Sequence, residues 1–160
     1  MTVSAASATQ TAAAPTSAVA RRIARRGLVQ YLVATDETAL AQTQALLATL
    51  PLCATGRVFI EVPDASWIGR LQAPGRMTVT WLDRSARRGA PGSGASCRRG
   101  AALTRAVTAW ADEMMCTDGD HTQVFVSGGY LGAAEIVDHL VERLGRARES
   151  VHTPREYRLN

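Results

Sequence analysis

Residues 31–40, Tyr-Leu-Val-Ala-Thr-Asp-Glu-Thr-Ala-Leu, decide the fold of this 160-residue chain. The apolar run breaks at residues 35–38, Thr-Asp-Glu-Thr, and apolar residues then resume at helical spacing. This pattern is typical of a buried strand that turns sharply into a helix, the unit that opens nucleotide-binding α/β folds. Further strand-like runs alternate with helical stripes. The sequence therefore predicts a three-layer α/β domain with a parallel sheet and helices on both faces.

The expected strands cover residues 28–34, 57–62, 77–82 and 123–127, with a weak final strand near Val151. The third strand alternates polar and apolar residues, as an edge or half-covered strand would. Three apolar stripes predict the helices. The first contains Leu40, Leu46, Leu47 and Leu50; the second Leu103, Val107, Trp110 and Met114; the third Ala133, Val137, Leu140 and Leu144.

Composition indicates how the chain is organised and where the protein is located. Residues 1–27 are rich in Ala, Ser and Thr, and end in a basic segment, so we expect a disordered tail before a folded domain over residues 28–160. No apolar run approaches the roughly 18 residues that a membrane span needs. The three cysteines are scattered, which favours a reducing cytoplasm over a disulfide framework.

Ligands of such sheets bind outside the carboxyl ends of the strands, near the point where strand order reverses. That rule gathers three turns on one rim and predicts these cofactor-binding residues: Thr35, Asp36, Glu37, Thr38, Ala39, Trp81, Arg84, Ser127, Gly128, Gly129 and Tyr130. Arg84 has the planar guanidinium that a ribose phosphate prefers. Asp36 and Glu37, however, would repel a phosphate, and the Gly-x-Gly-x-x-Gly fingerprint is absent.

Residues 36–39, Asp-Glu-Thr-Ala, with Trp81 and Arg84 after the third strand, resemble the siderophore-interacting domain. That domain is the NAD(P)H-binding half of FAD-dependent ferric-siderophore reductases, and the resemblance covers residues 28–160. It implies a ferredoxin-reductase-like fold that binds NADPH or NADH and passes hydride to a flavin, which then reduces ferric siderophore. Residues 35, 36, 38 and 39 would line the nicotinamide side, and Trp81 and Arg84 the adenosine phosphate side.

The chain departs from the family pattern at several places. Gly128-Gly129 stands where the family has Gly-Glu, and Tyr157-Arg158 where it has Tyr-Trp-Arg. The family's flavin-binding barrel comes before this domain, so we expect FAD only through a separate flavin-binding partner. The sequence predicts no catalytic residue in this domain.

Three functions stay open at this stage. The first is the nicotinamide half of a split ferric-siderophore reductase, and the second is a non-catalytic module that binds a siderophore or a protein through the arginine-rich residues 84–99. Nucleic-acid binding ranks last, because the arginines lack a helix-turn-helix or aromatic context. We interpret Asp118, Asp120 and His121 as a solvated turn rather than a metal site.

Overall fold

A computed structural model describes residues 29–115 and 121–159 and contains a five-stranded sheet in which all neighbouring strands are parallel. The strands are β1 (Gln30–Asp36), β2 (Thr55–Val62), β3 (Arg76–Asp83), β4 (Gln123–Val126) and β5 (Val151–His152). Their order is β3-β2-β1-β4-β5, so it reverses between β1 and β4. The predicted tail, together with Asp118 and Asp120, lies outside the described residues.

In the described part of the chain, three α-helices flank the sheet. A 3-10 turn over Glu37–Ala39 joins β1 to α1 (Leu40–Thr49), and α2 (Ala101–Met114) leads towards β4. After β4 comes α3 (Tyr130–Asp138), which continues as a π-helical turn over His139–Arg143. Within the described ranges, no helix combines the length and apolar character needed to cross a membrane.

The core lies in two layers, one on each face of the sheet. One layer packs α1 against the sheet through Val33, Val58, Ile60 and Leu47. The other packs α2 and α3 against Leu32, Ala34, Val124 and Val126. Such strands are apolar on both faces because helices cover both. The predicted three-layer α/β class is confirmed.

Two sequence expectations need correction. β1 extends through Thr35 and Asp36, because these residues pair in register with Ile60 and Glu61 of β2, so the turn starts only at Glu37. Met114 was expected in the buried stripe but is 50% exposed. Ala111 is buried instead, since it continues the row of Leu103 and Val107 at a spacing of four residues. The expected edge position of β3 and the short final strand are confirmed.

Candidate functional site

The carboxyl edge of the sheet brings residues from β1 and β4 together where strand order reverses. Asp36 is the last residue of β1, and Ser127 directly follows β4. The Ser127 backbone N–H donates to the Ala34 carbonyl at 2.9 Å, and its hydroxyl donates to Thr35 Oγ1 at 3.0 Å. The two strand ends therefore form one continuous rim, as predicted for the fold class.

Asp36 is the hub of this rim. Its side chain is only 2% exposed, and Oδ1 accepts hydrogen bonds from the Thr38 N–H at 2.9 Å and the Thr38 hydroxyl at 2.6 Å. Oδ2 accepts from the Gly129 N–H at 2.8 Å and from Arg99 Nε and Nη2 at 3.0 and 2.8 Å. The carboxylate thus takes backbone donors that an anion would otherwise use at a helix start.

Gly128 lets the chain pass close to Asp36. Its φ is +105°, a conformation that residues with a side chain rarely adopt. A Cβ at this position would lie 2.6 Å from Asp36 Cγ, which is far inside contact distance. The close approach positions the Gly129 N–H for its hydrogen bond to the Asp36 carboxylate.

Tyr157 ties the C-terminal segment to the same turn. Its hydroxyl donates to the Gly128 carbonyl, and its ring meets the Tyr130 ring edge-on with centroids 5.8 Å apart. Burial, together with the nearby negative charge of Asp36, raises the pKa of the Tyr157 phenol. The phenol is therefore protonated at neutral pH and remains a donor.

A second cluster lies beside the hub and centres on Arg84. Its Nη1 and Nη2 donate to the two carboxylate oxygens of Glu37, each at 3.0 Å, and Nη1 also donates to Glu61 Oε1 at 3.0 Å. The paired carboxylates, first of all Glu37, hold the pKa of the Arg84 guanidinium above its ordinary value. Arg84, predicted to hold a phosphate, therefore already has two carboxylate partners within the protein.

Glu61 is fully buried in β2, where it faces the start of α2. Its two oxygens accept hydrogen bonds from the Gly100 N–H at 2.7 Å and the Leu103 N–H at 2.8 Å. These are backbone donors that the helix itself cannot satisfy. Glu61 thus caps α2 and, through Arg84, connects that helix to the turn after β1.

The two clusters are electrostatically linked. Arg99 Nη2 also donates to the Thr38 hydroxyl at 3.0 Å, and Arg99 Nε lies 3.7 Å from Glu37 Oε1. Three carboxylates (Asp36, Glu37, Glu61) thus meet two guanidiniums, with one negative charge in excess. A phosphate at this position would add negative charge to a cluster that already has an excess of it.

The structure places the other predicted residues along or behind the rim. Trp81 packs, half-buried, against the core layer beneath α1, and Ala39 is buried. Tyr130 is 51% exposed at the start of α3. Their roles towards a cofactor remain predictions. No cluster of three potential metal-ligating side chains is found among residues 29–115 and 121–159.

Two members of the site were not predicted from the sequence. Glu61 interrupts the otherwise apolar end of β2, Val58-Phe-Ile-Glu-Val62, and a charge in a doubly covered strand signals a buried partner. Arg99 directly precedes Gly100 and α2, within the arginine-rich residues 84–99. Neither residue could be paired without knowing that β1, β2 and α2 meet at this edge.

Asp36 makes the stability of the protein depend on pH. Burial raises the pKa of its carboxyl group, but hydrogen bonds from Thr38, Arg99 and Gly129 outweigh burial and hold the pKa below its ordinary value. A group with a depressed pKa stabilises the fold above its unfolded-state pKa and loses that effect as pH falls through the folded value. We expect Asp36→Asn to lower the free energy of unfolding by about 2 kcal/mol at neutral pH.

Urea unfolding between about pH 3 and pH 7 checks this prediction, and the gap between wild type and Asp36→Asn should shrink as the pH drops below about 4. Asp64→Asn is the control, since Asp64 accepts the same kind of local hydrogen bonds, from the Ser66 N–H at 2.8 Å and the Ser66 hydroxyl at 2.5 Å. A gap for Asp36→Asn that stays constant over the whole pH range would contradict the assigned role of its carboxylate.

Comparison with known proteins identifies relatives of this domain. The model of the family described as "Siderophore-interacting protein" matches residues 28–154. A siderophore utilization protein from T. fusca, whose crystal structure is known, is 27% identical with a TM-score of 0.56; the match covers 78% of this chain and 42% of that one. No curated protein matches the chain.

A second solved structure, the siderophore-interacting protein SipS from Aeromonas hydrophila, is 18% identical with a TM-score of 0.48. That match covers 81% of this chain and 48% of SipS. The chain therefore matches less than half the length of each of these two structures.

Proposed function

The chain belongs to the siderophore-interacting protein family, and on that premise we propose that this domain binds NAD(P)H as the nicotinamide half of a ferric-siderophore reductase. The observation that carries the proposal is the rim at the reversal of strand order, where the ends of β1 and β4 meet at Asp36, Ser127 and Gly129. Dinucleotides bind sheets of this kind at that position. Bound NAD(P)H supplies the hydride that reduces a flavin, whose electrons then reduce ferric siderophore.

The polar groups of the rim decide how a dinucleotide fits. The Thr38 and Gly129 N–H groups already donate to Asp36, and Arg84 and Arg99 already pair with carboxylates. We therefore do not assign the phosphates to the turn after β1. The nucleotide would pack against the turn after β4 through its uncharged parts, with its phosphates further along the edge.

Arg87 and Arg88 offer the cationic surface for those phosphates. Both are exposed and follow β3, next to the predicted adenosine side. In the part of the chain that the structure describes, neither guanidinium has a carboxylate within ion-pair distance. An exposed arginine fork suits the 2′-phosphate that distinguishes NADPH from NADH.

Isothermal titration with NADPH and NADH tests the proposal. We expect saturable binding of NADPH, and Arg87→Ala should weaken it about tenfold while changing NADH affinity little, because NADH lacks the 2′-phosphate. The matched control is Arg76→Ala, which removes the same charge at the first residue of β3, at the opposite edge of the sheet. Arg84→Ala would be a poor probe, since Arg84 also holds Glu37 and Glu61.

A specific cavity favours the second candidate, a non-catalytic siderophore-binding module. About 510 Å³ lies between residues 89–98 and the helices α2 and α3, with Arg98, Arg105 and Glu135 in its wall. This volume is in the usual range of small-molecule sites. Binding of a ferric catecholate, with no NADPH or NADH binding up to millimolar concentration, would replace the first proposal with this one.

A further inference from the structure

The cavity of about 510 Å³ between residues 89–98 and the helices α2 and α3 is lined mainly by small apolar side chains. They belong to Ala90, Pro91, Ala95 and Ala101. A cavity of about 150 Å³ already admits one benzene ring, so this one has room for two fused rings. Its walls therefore suit the apolar body of a small molecule rather than a sugar or a phosphate chain.

The segment that forms one wall is folded back on itself by its own hydrogen bonds. Arg88 and Ser96 form an antiparallel β-bridge, and the Gly89 N–H donates to the Ala95 carbonyl at 2.9 Å. The chain passes so closely here that a Cβ on Gly89 would lie 2.9 Å from the Ser96 carbonyl oxygen. Because these backbone groups are paired within the segment, the wall keeps its shape without a ligand.

Among the described residues, Glu135 of α3 is the one carboxylate in the wall, and its charge is already compensated. The Arg98 guanidinium donates to its Oε1, and the Thr104 hydroxyl donates to its Oε2 at 3.2 Å. Arg98 and Glu135 therefore form a neutral pair at the edge of the cavity.

Arg105 of α2 also lines the cavity, and it has no carboxylate partner. Its Nε donates to the Ala101 carbonyl at 3.2 Å, and its Nη2 donates to the Arg88 carbonyl at 3.2 Å and to Cys97 Sγ at 3.4 Å. Across residues 29–115 and 121–159, no carboxylate lies within ion-pair distance of Arg105, and its Nη1 has no acceptor. The wall thus has one positive charge in excess.

We propose that this cavity binds a small apolar carboxylate, such as an aromatic acid, whose charged group pairs with Arg105. A carboxylate matches the planar guanidinium and supplies the acceptor that Nη1 lacks. Its single negative charge balances the excess charge of the wall, while its apolar body packs against the small side chains. The inference goes beyond the proposed function, because this ligand is a separate molecule from the dinucleotide.

Titration with 1-naphthoate, an aromatic acid of two fused rings, and with its neutral analogue 1-naphthamide tests the proposal. The wild type should bind 1-naphthoate about tenfold more tightly, because only the acid has a charge that pairs with Arg105. Arg105→Gln should remove this difference by weakening 1-naphthoate alone, and Arg105→Lys, which keeps the charge, should retain part of it. The control is Arg70→Gln, which removes the same charge at an exposed position between β2 and β3 and should leave both affinities unchanged.

Equal affinities of the wild type for the two ligands would overturn the proposal, as would no binding of 1-naphthoate up to millimolar concentration. This wild-type comparison decides the proposal even if Arg105→Gln fails to fold. Weaker binding of both ligands by a folded Arg105→Gln would also overturn it, because Arg105 would then only shape the cavity. Tighter binding of a ferric catecholate than of 1-naphthoate would replace it with the second candidate function. None of these results depends on NADPH binding, so the proposed function is tested separately.

Discussion

Replacing Gly128 with alanine is expected to lower the free energy of unfolding by about 3 kcal/mol. Two effects add at this position. The φ of +105° is strained for any residue with a side chain, and the new methyl group would lie 2.6 Å from Asp36 Cγ and 2.7 Å from Asp36 Oδ1. The Asp36 carboxylate would have to move, and its hydrogen bonds to Arg99 and Gly129 would weaken.

Gly145→Ala separates the two effects. Gly145 also has a positive φ, +64°, but an added Cβ would meet nothing within 4 Å. That variant should lose only about 1 kcal/mol, the cost of the backbone conformation alone. Urea unfolding followed by circular dichroism measures both, and equal losses in the two variants would show that contact with Asp36 does not matter.

Glu61→Gln is the second substitution with a large expected effect, a loss of about 3–5 kcal/mol in the free energy of unfolding. Glutamine has nearly the same shape, and its amide oxygen can still accept one of the hydrogen bonds from Gly100 and Leu103. Its amide nitrogen cannot accept the other. Arg84 would also lose one of its two carboxylate partners. One buried donor at the start of α2 would then be left without an acceptor.

Glu135→Gln is the matched control, because it makes the same chemical change in an exposed ion pair. Glu135 pairs with Arg98, and their side chains are 42% and 57% exposed. Exposed pairs contribute at most about 1 kcal/mol. If chemical denaturation gave Glu61→Gln a loss as small as that of the control, the role of Glu61 as the cap of α2 would be wrong.

The sequence predicted the layers of this fold well because buried apolar residues recur in it with the period of a strand or a helix. The runs at β1 and β2 are apolar on both faces, and β3 alternates, as their central and edge positions require. Boundaries were less certain, since Thr35 and Asp36 are polar yet still pair with β2. The side chains of these two residues are part of the polar rim, whereas their backbone is part of the sheet.

Only part of the candidate site could be predicted from the sequence, for a different reason. The turns after β1 and β4 are marked in the sequence by Asp36-Glu37 and Gly128-Gly129, and the structure brings both turns to one rim. The partners of these residues come from far along the chain: Arg99 reaches Asp36, and Arg84 reaches Glu61 and Glu37. Sequence spacing contains no information about such long-range pairs. Arginine in isolation therefore suggested phosphate binding, where the structure shows pairing with carboxylates.

The arginines at the two ends of residues 84–99 have a consequence for how this protein can change. Arg84 and Arg99 are both held by carboxylates at the carboxyl edge, so the ends of the segment are fixed whatever lies between them. Closing a loop of different length between fixed ends changes its free energy only slowly. The intervening residues, which border the cavity of about 510 Å³ beside α2 and α3, can be replaced together. The residues between the two arginines can thus vary while the sheet keeps its stability.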